Sequence, residues 1–243
     1  MGTTNANWLD WPIGWWVQHV SETGSTNTDL YQQALDGAPA HTAVATDFQT
    51  LGRGRIDRTW ESVRGANLLV SLLFRDGQRP QHNFTQIVGL AAVRACEQLV
   101  NIRPELKWPN DLLVNGRKLS GILAAGGPNF AVVGIGVNVN WAPDGAITLA
   151  EMAPQRNLHP ADLLRLMLSN IDELESLSVE SLHELYSASL ATIGENVRIH
   201  RADGVVLTGL AIEVERDGRL VMVDGRGVAH RIDTGDIVHL RTT

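Results

Sequence analysis

Lys107 to Leu123 reads KWPNDLLVNGRKLSGIL. At its centre Asn115-Gly116 stands between two apolar runs. That is a hairpin signal, because asparagine and glycine tolerate the positive φ that a two-residue turn requires. The neighbouring runs have the same character: ELKWP at 105–109, NLLVSLLF at 67–74 and FAVVGIGVNVN at 130–140. Strands this short and closely spaced pair antiparallel, since a doubly wound parallel sheet needs a long crossover between each pair. Earlier strands are expected at Trp16 to Val20 and Ala43 to Asp47, and helices at Phe84 to Val100, Pro160 to about Leu177 and Val179 to about Ala191. A further helix follows Ser25-Thr26-Asn27, where a short side-chain oxygen can cap the first free amides. The expected class is α+β, with a mixed, largely antiparallel sheet and helices.

From Gly194 the text changes to GENVRIHRADGVVLTGLAIEVERDGRLVMVDGRGVAHRIDTGDIVHLR. Apolar and polar residues alternate in short runs, with Gly or Asp-Gly at nearly every turn, which predicts a small β-barrel of about five strands. The boundary is placed near Ile193, dividing 1–192 from 193–243.

The chain has 243 residues, 44% of them hydrophobic and 19% charged, with a formal net charge of −7. That is an ordinary globular composition with enough length for a sizeable core. The acidic balance argues against a partner bound through a broad basic surface, such as DNA, and leaves room for a local cationic site. Nor does a DNA-binding element fit ahead of the first helix. Cys96 is the single cysteine, so no intrachain disulfide forms, and in IVGLAAVRACEQLV it reads as a packed thiol. No leader-like start and no run of ~18 apolar residues is present, so a cytoplasmic protein without a membrane partner is expected. Trp8, Trp11, Trp15 and Trp16 read as a lid packed onto the core.

Several chemistries drop out. There is no G-x-x-x-x-G-K-[ST], and GIGVNV from Gly134 lacks the third glycine and following helix of a dinucleotide site. The eight histidines show no metal-ligand spacing, and no serine elbow or Cys/His pair stands out. What remains is a set of cations. QTLGRGRIDRTW at 49–60 interleaves Arg53, Arg55 and Arg58 with Gly52 and Gly54, so backbone amides can approach an anion while guanidiniums offer planar donors. Lys107, Asn110 and Asp111 fall at a strand junction, and Lys118 follows a tight turn, placed to offer a point charge to a reacting oxyanion. Each feature alone is commonplace.

Their order is not. STN at 25–27, QTLGRGR at 49–55, Trp60, GANLLVSL at 65–72, KWPNDLLVNGRKLSGIL at 107–123, GIGVNVN at 134–140 and the terminal GDIVHLR together resemble the biotin protein ligases from about residue 20 onward. The resemblance implies a mixed α+β catalytic domain followed by an SH3-like domain. It also implies the short form without the amino-terminal DNA-binding winged helix. The implied reaction activates biotin with ATP and Mg²⁺ as an acyl-adenylate, then transfers it to a lysine of the biotin carboxyl-carrier domain of an acyl-CoA carboxylase. A homodimer is left open.

Carried over by position, Ser25, Thr26, Asn27 and Gln49 become polar contacts to biotin, with Gly52, Arg53 and Gly54 closing over it and Trp60 as an apolar wall. Arg55 and Lys118 face the carboxylate and α-phosphate, Arg58 and Asn110 the triphosphate and its Mg²⁺, and Asn138 the adenine. Lys118, Arg55 and Lys107 form the catalytic set. One position departs: Asp57 stands where the family's loop has glycine, so it either clamps the neighbouring arginines or repels ATP. The competing readings are a lipoate or octanoate ligase of related fold and a non-catalytic biotin-binding protein.

Overall fold

The computed structural model describes residues 8, 10–55, 58–75, 77, 79–201, 204–233 and 235–239. The central hairpin forms as expected. β5 (Asp111–Val114) and β6 (Arg117–Gly127) are antiparallel, and Asn115 and Gly116 turn between them with φ of 53° and 73°. The sheet grows outward from it, with β6 against β7 (Phe130–Val137), β7 against β3 (Leu68–Phe74) and β3 against β2 (Thr42–Thr46), while β4 (Glu105–Lys107) borders β5. Those pairs are all antiparallel. β1 (Trp16–Val20) instead joins β2 in parallel, and α1 (Thr26–Leu35) supplies the crossover that a parallel pair requires. The order across the seven strands is β1-β2-β3-β7-β6-β5-β4.

Side chains alternate between the faces of a strand, so β3 serves two environments at once. Leu68, Val70, Leu72 and Phe74 join one continuous core with α2 (Gln81–Val100) and α4 (Pro160–Glu175), and α5 (Val179–Ala188) packs outside α2. On the opposite face, Leu73 meets Leu30 and Ala34 of α1 in a much smaller cluster. One helix cannot cover seven strands. The part of that face left bare is where the cavity lies.

Cys96 lies inside the larger core, where desolvation pushes its thiol up to about 12, so it stays protonated and inert. The tryptophan lid holds for Trp8 and Trp15, which are buried, and for Trp11, which packs against the core. Trp16 departs from that reading. It points outward from the edge strand β1 and is 67% exposed. A short helix the sequence did not announce, α3 (Leu149–Met152), is held by reciprocal bonds between Thr148 and Glu151. Among the described residues no helix is long and apolar enough to cross a membrane.

The last strands form a separate antiparallel sheet. They are β8 (Asn196–His200), β9 (Val206–Val214), β10 (Leu220–Asp224), β11 (Ala229–Ile232) and β12 (Asp236–His239), in the order β11-β10-β9-β8-β12. Val197, Ile199, Ala211 and Met222 are fully buried within it. The sheet follows directly on Ala191 and Thr192, which bond to the chain at Leu106 and Trp108 beside β4.

Candidate active site

The cavity's floor is set by strand register. Leu69, Gly136 and Gly121 stand side by side across β3, β7 and β6, and Ser71, Gly134 and Leu123 form the next row. The glycines are there for space. A Cβ on Gly136 would run into the Trp60 indole, reaching 2.7 Å from Nε1, and one on Gly121 would lie 3.0 Å from Cζ3 of the same ring. A Cβ on Gly134 would come within 2.8 Å of the Asn27 amide. The glycines of GIGVNV therefore hollow the sheet so that side chains from other elements can lie on it.

One end of the cavity is neutral and polar. Ser25 occupies the N-cap position of α1 and lines the cavity, yet its side chain makes no capping bond, so the capping role read from the sequence is not filled. Gln49 Oε1 accepts from the Thr26 amide at 2.9 Å and is 3.1 Å from the Thr26 hydroxyl. The Thr26 and Ser71 hydroxyls are 2.8 Å apart, and Ser71 donates to Asn27 Oδ1 at 3.0 Å. Asn27 donates in turn to the carbonyl of Leu123 at 2.9 Å. Since each hydroxyl carries one proton, Ser71 spends its own on Asn27, and the single proton of Thr26 is shared between Gln49 Oε1 and Ser71 Oγ. Three elements, α1, β3 and β6, are tied into one cluster holding both donors and acceptors.

The other end is cationic. The loop after β2 folds back as a small hairpin, with Arg53 opposite Thr59, the Gly54 amide on the Arg58 carbonyl at 2.6 Å and the Trp60 amide on the Gly52 carbonyl at 3.0 Å. This aims Arg55 inward, where Nη1 donates to Asn110 Oδ1 at 3.1 Å, while Asn110 Nδ2 donates to the Ile122 carbonyl at 2.8 Å. Lys118 Nζ lies 2.7 Å from Asp111 Oδ1 and 5.8 Å over the Trp60 ring. That approach is an ion pair and not a directed hydrogen bond, and Asp111 Oδ1 makes no hydrogen bond among the described residues. Burial lowers the pKa of Arg55, with Asp111 opposing and Arg58 adding to the effect. Lys107 is lowered for the same first reason, again opposed by Asp111 and reinforced by Lys118 and Arg58. Among the described residues, Arg55, Arg58, Lys107 and Lys118 thus gather near Asp111, and an anion entering here would be drawn to them.

A second hollow adjoins the first, walled by Trp60, Lys118, Thr59, Asn138, Pro143 and Ala146. At the junction two buried polar atoms lack a partner among the described residues, Trp60 Nε1 and Asn138 Oδ1. Each such group costs about 1–3 kcal/mol when left unpaired, which a ligand with matching groups recovers.

Of the residues expected at the site, Ser25, Thr26, Asn27, Gln49, Arg53, Gly54, Arg55, Arg58, Trp60, Asn110 and Lys118 line the main cavity, and Asn138 lines the adjoining one. Gly52 and Lys107 line neither. Gly52 closes the arginine loop through its carbonyl, and Lys107 pairs across the strands with Asp111. Asp57 lies outside the described residues. Among the polar lining residues, Ser71 was missed, while Asp111 was noted at the strand junction but given no role. Ser71 had a signal, being the only polar residue in the strand LLVSLLF.

The model of the biotin/lipoate A/B protein ligase family matches residues 20–140. The biotin--[acetyl-CoA-carboxylase] ligase of Mycobacterium tuberculosis is 35% identical over 237 residues, covering 91% of this chain and 88% of the relative. The bifunctional ligase/repressor BirA of Bacillus subtilis is 28% identical over 233 residues, covering 88% of this chain and 70% of the relative. Among solved structures, the biotin protein ligase from Aquifex aeolicus in complex with biotin and ATP superposes with a TM-score of 0.79 at 26% identity, over 93% of this chain and 99% of the other.

Proposed function

The chain belongs to the biotin/lipoate A/B protein ligase family, and from that premise we propose that it activates biotin with ATP and transfers it to a lysine of the biotin carboxyl-carrier domain of an acyl-CoA carboxylase. The observation that carries this reading is one cavity with a donor-and-acceptor cluster at one end, Trp60 along its wall and Arg55 with Lys118 at the other. Biotin has that shape: a ureido ring, an apolar body and a distant carboxylate. A lipoyl dithiolane carries neither the N–H donors nor the carbonyl acceptor that would complement the polar groups of Thr26, Asn27, Gln49 and Ser71, which already bond one another.

The biotin carboxylate attacks the α-phosphorus of ATP, the bond to the β-phosphate oxygen breaks, and pyrophosphate leaves. The amine of the carrier lysine then attacks the mixed anhydride's carbonyl carbon, forming an amide and releasing AMP and a proton. Lys118 and Arg55 act where negative charge develops at the α-phosphate. Arg58 serves the outgoing phosphates, and Asn138 Oδ1 offers an acceptor to an exocyclic amine of the base. Mg²⁺, when bound with ATP, neutralises phosphate charge. Both amide atoms of Asn110 are engaged by Arg55 and Ile122, so Asp111, an anionic oxygen donor, would be the residue to hold that ion once Lys118 turns from it to the phosphates.

Residues 1–192 are read as the catalytic unit and 193–243 as an SH3-like domain. Mixing protein, biotin and MgATP without a carrier tests the first step. Pyrophosphate release with biotinyl-adenylate left on the protein is expected, and no adenylate from folded protein removes the proposal.

A further inference from the structure

The cationic end of the cavity hangs on the four residues 108–111. Asn110 holds Arg55, and Asp111 holds Lys118. Trp108, next to Lys107, lines neither hollow and is buried. Its partners come from the end of the helical part and from the five-stranded sheet. The Trp108 backbone N–H donates to Thr192 Oγ1 at 3.0 Å, and its indole Nε1–H donates to the carbonyl of Gly218, in the turn between β9 and β10, at 3.0 Å. Thr192 Oγ1 also lies 3.1 Å from His239 Nε2 on β12. Just before it, the Ala191 amide donates to the Leu106 carbonyl at 2.8 Å.

We infer that Thr192 is a positioning residue for the adenylation step, fixing the segment that carries Asn110 and Asp111 to the C-terminal sheet through Trp108. The geometry gives the hydroxyl a double duty. It satisfies a buried backbone donor that would otherwise be orphaned, and it ties that donor to β12. Trp108 is gripped at both backbone and ring, so its rotation is fixed, and two residues later the carboxamide that holds Arg55 inherits that orientation. A displacement of about 1 Å at a phosphate-facing group costs on the order of a hundredfold in rate, which is why a residue that never meets substrate can matter. The polar cluster of α1, β3 and β6 shares no bond with Trp108 or Thr192, although both ends of the cavity also lean on β6, one at Leu123 and the other at Ile122.

This inference rests on the proposed adenylation, and the test separates the two. Wild-type protein is first shown to release pyrophosphate from biotin and MgATP; failure there ends the functional reading itself. Thr192→Val then removes the hydroxyl at nearly constant volume, and Thr192→Ser restores it. Expected are a fall of about tenfold in adenylation kcat/KM for ATP with Thr192→Val, an unmoved dissociation constant for biotin, and recovery to within about twofold with Thr192→Ser. If Thr192→Val does not fold, Trp108→Phe removes the indole donor to Gly218 together with part of the buried ring and, in folded protein, is expected to fall about threefold in the same parameter, with biotin binding again unmoved. Wild-type kinetics in a folded variant, or biotin binding weakened as much as ATP turnover, overturns the positioning role.

Discussion

The two faces of the seven-stranded sheet are built from the same strands to opposite ends. Toward α2 and α4, β3 presents Leu68, Val70, Leu72 and Phe74, all fully buried and in contact with large side chains. Toward the cavity, the same strand presents Leu69 and Ser71 beside the glycines of β6 and β7. The first face is filled, and its burial supplies much of what holds the fold. The second gives up that burial at Gly121, Gly134 and Gly136, and in exchange leaves a floor on which Trp60 and Asn27 lie. A period of two lets one strand do both. The division predicts that changes on the packed face act on stability, while changes on the hollow face act on ligands.

Adjacent residues test this most sharply. Leu72→Ala should cost about 2–5 kcal/mol of unfolding free energy in denaturant titration and leave the biotin dissociation constant alone. Ser71→Ala, one residue away, should do the reverse. It removes the acceptor of Thr26 and the donor to Asn27, weakening biotin about tenfold with little change in denaturation midpoint. Parallel losses in both variants would erase the distinction between faces.

Lys118→Ala probes the cationic end, where loss of a group aimed at developing charge costs about 3 kcal/mol in the barrier. Adenylation in rapid-quench assays should slow by on the order of a hundredfold, with ATP and biotin affinities changed by much less. Unaltered turnover would make Lys118 an ordinary surface lysine.

Gly136→Ala puts a methyl where the Trp60 indole rests and should displace that ring at a cost of about 1–3 kcal/mol in binding. Titrations of biotin and ATP against Gly136→Ala, Trp60→Ala and the double variant separate the causes. The methyl should matter much less once Trp60 is gone. An equal penalty in both backgrounds means that it meets the ligand itself.

The smallest effect lies away from the cavity. His41 bonds Glu175 Oε2 at 2.8 Å, and that bond is the main reason its pKa is raised, with charge from Glu175 and Asp172 adding and burial opposing. A raised folded pKa contributes stability that is complete below the ordinary value of 6.5 and fades as pH climbs through the folded value. His41→Gln should lower the thermal midpoint at about pH 5.5 by the equivalent of ~0.2–1 kcal/mol and hardly at all at about pH 8.5. A pH-independent difference would show that the ion pair contributes nothing.

Much of the sheet was legible because turns carry their own chemistry. Asn115-Gly116 predicted β5 and β6, and the apolar runs on either side predicted β3 and β7. The parallel pairing of β1 with β2 was not, since nothing in Trp16 to Val20 says which neighbour it meets. Four-residue α3 is too short to show periodicity, and Trp16 was misread because composition does not reveal that β1 is an edge. At the cavity, arginines and lysines announce themselves within a few residues. Ser71 does not, for it acquires its place only when register brings β3, β6 and β7 together, and Asp111 acquires a role only when the pairing of β5 with β6 sets Lys118 beside it.

The most direct measurement of the whole account is intact-mass spectrometry of an unmodified biotin carboxyl-carrier domain incubated with this protein, biotin and MgATP. The account predicts one biotinyl group on the acceptor lysine, requiring both small molecules, absent when that lysine is replaced by arginine and not reproduced by lipoate. An unmodified carrier alongside folded protein, or equal transfer of lipoate, would contradict it.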